Sequence, residues 1–141
     1  MECKIRLSII VPVYNVECYI RDCVESVFLQ DLDDNEFEVI IVNDGTKDNS
    51  IKVIEDLVCQ HKNIVLINQE NCGLSVARNN GIAISRGEYI LFLDSDDLII
   101  ERSLKSLLEK AIETQADIVV ADYIEKNNAE IVALKKHAVI V

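Results

Sequence analysis

Short apolar runs alternate along this chain with segments whose apolar residues recur every three or four positions. That is the pattern of an α/β domain, a parallel sheet flanked by helices. Residues 7–11 predict a first strand, stopped at Pro12. From Val16 the period changes, and Ile20, Cys23, Val24, Val27 and Phe28 share one helical face. An acidic connection over 31–36 leads to a second strand at 37–42, which ends in Asn43-Asp44-Gly45. Asp48, Asn49 and Ser50 are each competent to cap a following helix with the stripe Ile51, Ile54, Leu57 and Val58. A third strand at 64–67 is followed by the turn Asn71-Cys72-Gly73. A short helix over 75–85 then packs Ala77, Gly81 and Ile82 inward, its glycine implying close approach of another backbone. Residues 89–93 predict a fourth strand. Leu104, Leu107, Leu108, Ala111 and Ile112 mark the cleanest helix, and 117–121 a fifth strand. Residues 126–141 read as an irregular or extra-strand tail on a single domain spanning 1–141. The apolar run at 138–141 suggests an N-terminal piece of a longer protein.

Composition narrows the choices. Half of the 141 residues are apolar and 5% aromatic, so the chain folds around an aliphatic core. Fourteen basic against 25 acidic side chains give a formal charge of -11. That field repels a duplex or an anionic membrane surface, so no nucleic-acid partner is expected and any membrane contact is peripheral. Five cysteines without a Cys-x-x-Cys pair, and two distant histidines, give neither a disulfide framework nor a zinc site. Reduced thiols and the lack of a leader-like or spanning segment point to a cytoplasmic protein.

In an open α/β sheet, ligands bind at the carboxyl ends of the strands. Polar residues gather there: Pro12-Val13-Tyr14-Asn15 after the first strand, Asn43-Asp44-Gly45 after the second, Asp94-Ser95-Asp96-Asp97 after the fourth. Three carboxylates within four residues repel one another unless a cation sits among them, and hard oxygen ligands suit Mg²⁺ or Mn²⁺. The plainer reading makes Asp96 or Asp97 a cap for the helix leading to Leu104. Asp44 is open to a role as a turn residue, and Arg78 reads either as an ion-pair residue or as a phosphate ligand.

Taken together, five blocks resemble the glycosyltransferase family 2 enzymes, with the GT-A (Rossmann-like) nucleotide-sugar fold. They are 8–15, 26–30, 39–50, 71–79 and 87–97, in the family's order. The resemblance implies a metal-assisted transferase moving a sugar from a nucleotide diphosphate-sugar, usually UDP-linked, to a saccharide or lipid-linked acceptor in cell-surface polysaccharide synthesis. By the same resemblance, Pro12, Val13, Tyr14 and Asn15 line the nucleotide pocket, and Asp44 holds the base. Arg78 lies near the nucleotide, as does Ser95 within the Asp-x-Asp motif. Asp94 is directed toward the ribose, and Asp96 toward a diphosphate-bridging Mn²⁺ or Mg²⁺, with Asp94 and Asp97 as further metal candidates. Thr46-Lys47 departs mildly from the family's Ser-Thr.

An inverting enzyme also needs a general base, which in the family comes from the second half of the catalytic domain. Here Asp122 is the best-placed candidate, and a loop role is the plainer reading of it. By the same resemblance, the acceptor-binding part is not expected within these residues. A nucleotide-sugar-binding fragment or pseudoenzyme is therefore the main rival. A nicotinamide oxidoreductase is excluded by the missing Gly-x-Gly-x-x-Gly loop.

Overall fold

Residue parity along the first strand decides the architecture. The computed structural model describes residues 4–127 and 130–140. In β1 (Leu7–Val13), Ile9, Val11 and Val13 face one side of the sheet and Ile10 the other. The odd-numbered face packs on α1 (Ile20–Val27), α2 (Glu55–Gln60) and α4 (Ser103–Thr114), with Cys23, Val24, Leu57, Leu104 and Leu108 in one core. The even-numbered face joins Ile40 and Val42 of β2 (Phe37–Asp44) to Ala77 of α3 (Leu74–Ile84). Each such Ile or Leu, fully buried, contributes about 1.5–3 kcal/mol. With β3 (Ile64–Gln69) and β4 (Tyr89–Phe92), the sheet is four-stranded and parallel, in the order β3-β2-β1-β4. Burial on both faces explains why these strands read as unbroken apolar runs.

Several expectations are corrected. β1 does not stop at Pro12 but runs to Val13, with Pro12 opposite Val42. The Ile10 carbonyl accepts the Leu93 N–H at 3.0 Å on the β4 side. Residue 12 faces that same side, where the next bond of the parallel ladder would need an N–H that proline lacks; β4 pairing ends at Ile10, while pairing with β2 continues through Pro12 to Val13. Ile82 points outward and is 40% exposed. Gly81 admits a side chain rather than a backbone: a Cβ there would lie 2.5 Å from Ile10 Cγ2. The helix before β3 is broken, a 3₁₀ turn (Lys52–Ile54) preceding α2. The fifth strand leaves the sheet: β5 (Val119–Asn127) pairs antiparallel with β6 (Glu130–Ile140) as a separate two-stranded sheet. β6 accounts for the strand pattern of the tail, of which Asn128, Ala129 and Val141 lie outside the described residues.

Two buried polar side chains tie the frame together. Gln30, 1% exposed, donates from Nε2 to the Ser26 carbonyl, and its Oε1 accepts the N–H groups of Ser103 and Leu104 at 3.1 and 3.0 Å. It therefore serves the open N-terminus of α4, whose preceding residue, Arg102, makes no side-chain cap. Glu38, also 1% exposed, accepts from Ser8 Oγ and the Arg86 N–H at 2.7 Å on Oε1, and from the Arg86 guanidinium on Oε2. Burial pushes this carboxyl up, but the four donors outweigh it and hold it below its usual range. Ser8 Oγ in turn accepts the Gly87 N–H.

Candidate functional site

The carboxyl ends of β1, β2 and β4 converge on a cleft of about 360 Å³, lined by Pro12, Val13, Tyr14, Asp44 and Ser95. Asn71, Gly73, Leu74 and Ala77 close the other wall. β1 lies between β2 and β4, so the chain switches direction across the sheet at this point, where open α/β sheets make a crevice. Five residues expected at the site thus share one cleft. Asn15, Arg78, Asp94, Asp96 and Asp97 do not line it.

Asp44 ends β2 and is 3% exposed. Its Oδ1 accepts Gln69 Nε2 and the Cys72 N–H, both at 2.8 Å, and its Oδ2 accepts the Gly73 N–H at 3.0 Å. Burial raises the affinity of this carboxyl for a proton, but the Cys72, Gln69 and Gly73 donors outweigh burial and hold it ionised. An ionised carboxylate oxygen accepts about two hydrogen bonds, so Oδ2 keeps one lone pair. The next residue, Gly45, has φ +69°, and a Cβ there would meet the Asn71 nitrogen at 2.8 Å. Only glycine lets the two loops close over Asp44 in this way. Asp44 is therefore more than a turn residue: it organises the 71–73 turn and forms part of the cleft.

Asn15, with φ +53°, clips the end of β1 to the next loop. Its N–H donates to Thr46 Oγ1 at 2.7 Å, and its Oδ1 accepts the Lys47 N–H at 3.0 Å. Asp48 finishes the clip, accepting from Thr46 Oγ1, from the Ser50 hydroxyl and N–H, and from the Glu17 N–H. Burial opposes the charge on Asp48, but these donors prevail and pull its carboxyl down to about 2.

The acidic segment does not cap a helix. α4 begins at Ser103, and the Asp97 N–H instead donates to the Asp94 carbonyl at 2.9 Å, forming a turn. Arg78 of α3 pairs with Asp94 at 2.6 Å and lies over the Phe92 ring, 5.7 Å from its centroid. Arg78 Nε is buried without a partner. Partial burial and the charges of Asp96 and Asp94 push the Asp97 carboxyl up. Behind the segment, the Cys23 thiol donates to the Asp94 carbonyl at 3.6 Å. Burial, then Asp97, Asp96 and Asp94, push that thiol up to about 12.

Among the described residues, no three His, Cys, Asp or Glu side chains converge as a ready-made metal site. The donor set is nevertheless all oxygen and short of positive charge, which fits a hard cation completing its coordination with ligand oxygens. Asp122 lies within β5, exposed, and does not line the cleft. Cys18, Cys23, Cys59 and Cys72 are free thiols, and no helix among the described residues is long and apolar enough to cross a membrane. The sequence reading missed Leu74, Ala77 and Gln69. A glutamine two residues past the expected third strand and four before Gly73 was the only local sign of Gln69.

The family model described as Glycosyl transferase family 2 matches residues 8–137. Glycosyltransferase GlyA of Streptococcus pneumoniae is 41% identical over 125 residues, which is 89% of this chain and 18% of GlyA. The crystal structure of S. aureus TarS 1-349 in complex with UDP superposes with a TM-score of 0.81 at 30% identity, covering 92% of this chain and 38% of that one. Mannosyltransferase PcManGT from Pyrobaculum calidifontis, in complex with GDP-Man and Mn²⁺, gives a TM-score of 0.68 at 25% identity, covering 79% of this chain and 32% of that one. The chain thus spans well under half the length of these relatives, and its mostly parallel sheet flanked by helices is the GT-A arrangement.

Proposed function

The chain belongs to glycosyl transferase family 2, and on that premise we propose that its cleft is the donor half-site of a nucleotide-sugar glycosyltransferase. The observation that carries this reading is the convergence of Pro12, Val13, Tyr14, Asp44 and Ser95 on one cleft. Tyr14, 41% exposed, gives a flat base an aromatic wall. The ionised Asp44 accepts a ring N–H of the base, for which uracil is the proposed partner. UDP in TarS and GDP-Man in PcManGT, both bases with such an N–H, are consistent with this reading. Asn15 holds the pocket wall in place.

Asp96, with Asp94 and Asp97, would hold a divalent cation, Mn²⁺ or Mg²⁺. When bound, that ion supplies charge neutralisation for the diphosphate and its leaving group. Arg78 meets the same phosphates from the α3 side and keeps Asp94 in place. The proposed transfer goes to a saccharide or lipid-linked acceptor on a cytoplasmic face, with peripheral membrane contact at most. A second reading, binding without transfer, is favoured by Asp122, which stands exposed on β5 away from the cleft.

Thermal unfolding with UDP, with and without Mn²⁺, tests the donor site. Ligand at 100 times its dissociation constant adds about 2.7 kcal/mol, or about 5–12 °C in a domain of this size. The expected shift needs both UDP and metal and vanishes in Asp96→Ala. A folded protein that no nucleoside diphosphate stabilises would refute it. Sugar release from UDP-sugars in the presence of acceptor separates transfer from binding alone.

A further inference from the structure

Asp44 faces its cleft through a carboxylate held by three donors, and two of these come from the 71–73 turn that Asp44 itself holds in place. The third donor comes from regular structure. Gln69 is the last residue of β3, and the parallel register sets it directly opposite Asp44. Its Nε2 donates to Asp44 Oδ1 at 2.8 Å, while its Oε1 accepts Asn80 Nδ2, from α3, at 2.7 Å. The two contacts lock the amide in one sense. Turned over, Gln69 would set Oε1 against the Asp44 carboxylate and its NH₂ against the Asn80 NH₂.

We infer that Gln69, held by Asn80, is the positioning residue that aims the Asp44 carboxylate into the cleft and so sets its preference for a base carrying a ring N–H. The inference rests on the nucleotide reading proposed above. With Oδ1 filled by Gln69 and Cys72, the open acceptor is confined to Oδ2. Uracil presents a ring N–H to that lone pair. Cytosine presents a bare ring nitrogen and is repelled. Without Gln69, the carboxylate is held only by a turn that depends on it, and the open lone pair loses its direction.

The test compares UDP and CDP affinities, by calorimetry at fixed Mg²⁺, for the whole chain and two variants. Gln69→Leu keeps the volume and removes the donor; loss of one hydrogen bond to a charged group is worth about tenfold. UDP affinity is expected to fall about tenfold with CDP unchanged, so the preference collapses. Asn80→Asp, on an exposed position where folding is safe, invites Gln69 to turn its NH₂ away from Asp44 and should give the same loss. The two changes together should cost no more than one, because both act through the same amide. Equal losses for UDP and CDP, or additive losses in the double variant, would mean a merely structural role and overturn the inference. So would an unchanged preference in Gln69→Leu. If the unaltered chain binds neither nucleotide, the donor-site reading fails and this inference falls with it; a normal wild-type preference restricts any failure to Gln69.

Discussion

Removing the Arg86 side chain tests how the sheet tolerates a carboxylate at its centre. Arg86→Ala leaves Glu38 with the Ser8 hydroxyl and the Arg86 N–H, and strips away both guanidinium contacts on Oε2, at 2.7 and 2.8 Å. Breaking a fully buried ion pair costs about 3–5 kcal/mol. Here Glu38 is 1% exposed but the Arg86 side chain 66%, and two donors survive, so solvent screening reduces the loss to about 2–3 kcal/mol. For a chain of this size that is about 6–12 °C in Tm. The pH dependence carries the physical signature. In the intact protein Glu38 is held below its usual value, so its contribution is present above the unfolded value of about 4.3 and is lost as pH falls through the lower folded one. In the variant, burial prevails and lifts the carboxyl, so the folded state gives up its charge readily in acid. Urea midpoints followed by circular dichroism at pH 7 and pH 3 should therefore show a large gap that narrows in acid. A gap below about 0.5 kcal/mol at pH 7, or one equal at both pH values, would refute the reasoning. The position is remote from the cleft, so nucleotide affinity of the folded protein should not change.

Gln30→Leu should cost about 2–3 kcal/mol by leaving the first N–H groups of α4 without their acceptor, and hydrogen exchange at Ser103 and Leu104 should accelerate first. Protection unchanged at both amides would count against Gln30 as the cap. Asp48 sits at about 2 in the folded protein against about 3.9 unfolded, so its contribution is complete above pH 4 and lost as pH falls from about 4 through 2. After allowance for solvent, Asp48→Ala should cost about 1–2 kcal/mol at pH 7 and almost nothing at pH 2, read from urea midpoints.

The strands of the parallel sheet were legible because apolar side chains pack on both of its faces, fully buried in β1 and most of β2, and so appear as apolar runs too short for a helix. The same rule misjudged Pro12, since periodicity does not say on which side a neighbouring strand has ended. Asp44 was singled out by its position at a strand end, yet nothing local separated it from the equally acidic Asp94–Asp97 segment. Folding separates them: Asp44 is buried under three N–H donors, whereas Asp94 is half exposed with one arginine and Asp96 lies in solvent. The fifth strand was legible as a strand, but its partner was not, because pairing is a choice among edges.

By itself, then, the sequence determined the alternation of strands and helices, the two-faced core and the collection of polar residues at the carboxyl ends of the strands. All of these follow from local composition and period. Only the tertiary structure decided that Gln30 serves a helix 73 residues away, that Glu38 meets Arg86, and that Gln69 and Asn80 stand behind Asp44. A hydrogen bond depends on a few tenths of an ångström between segments distant in sequence. Once such a group is buried, the cost of leaving it unpaired makes its partner obligatory.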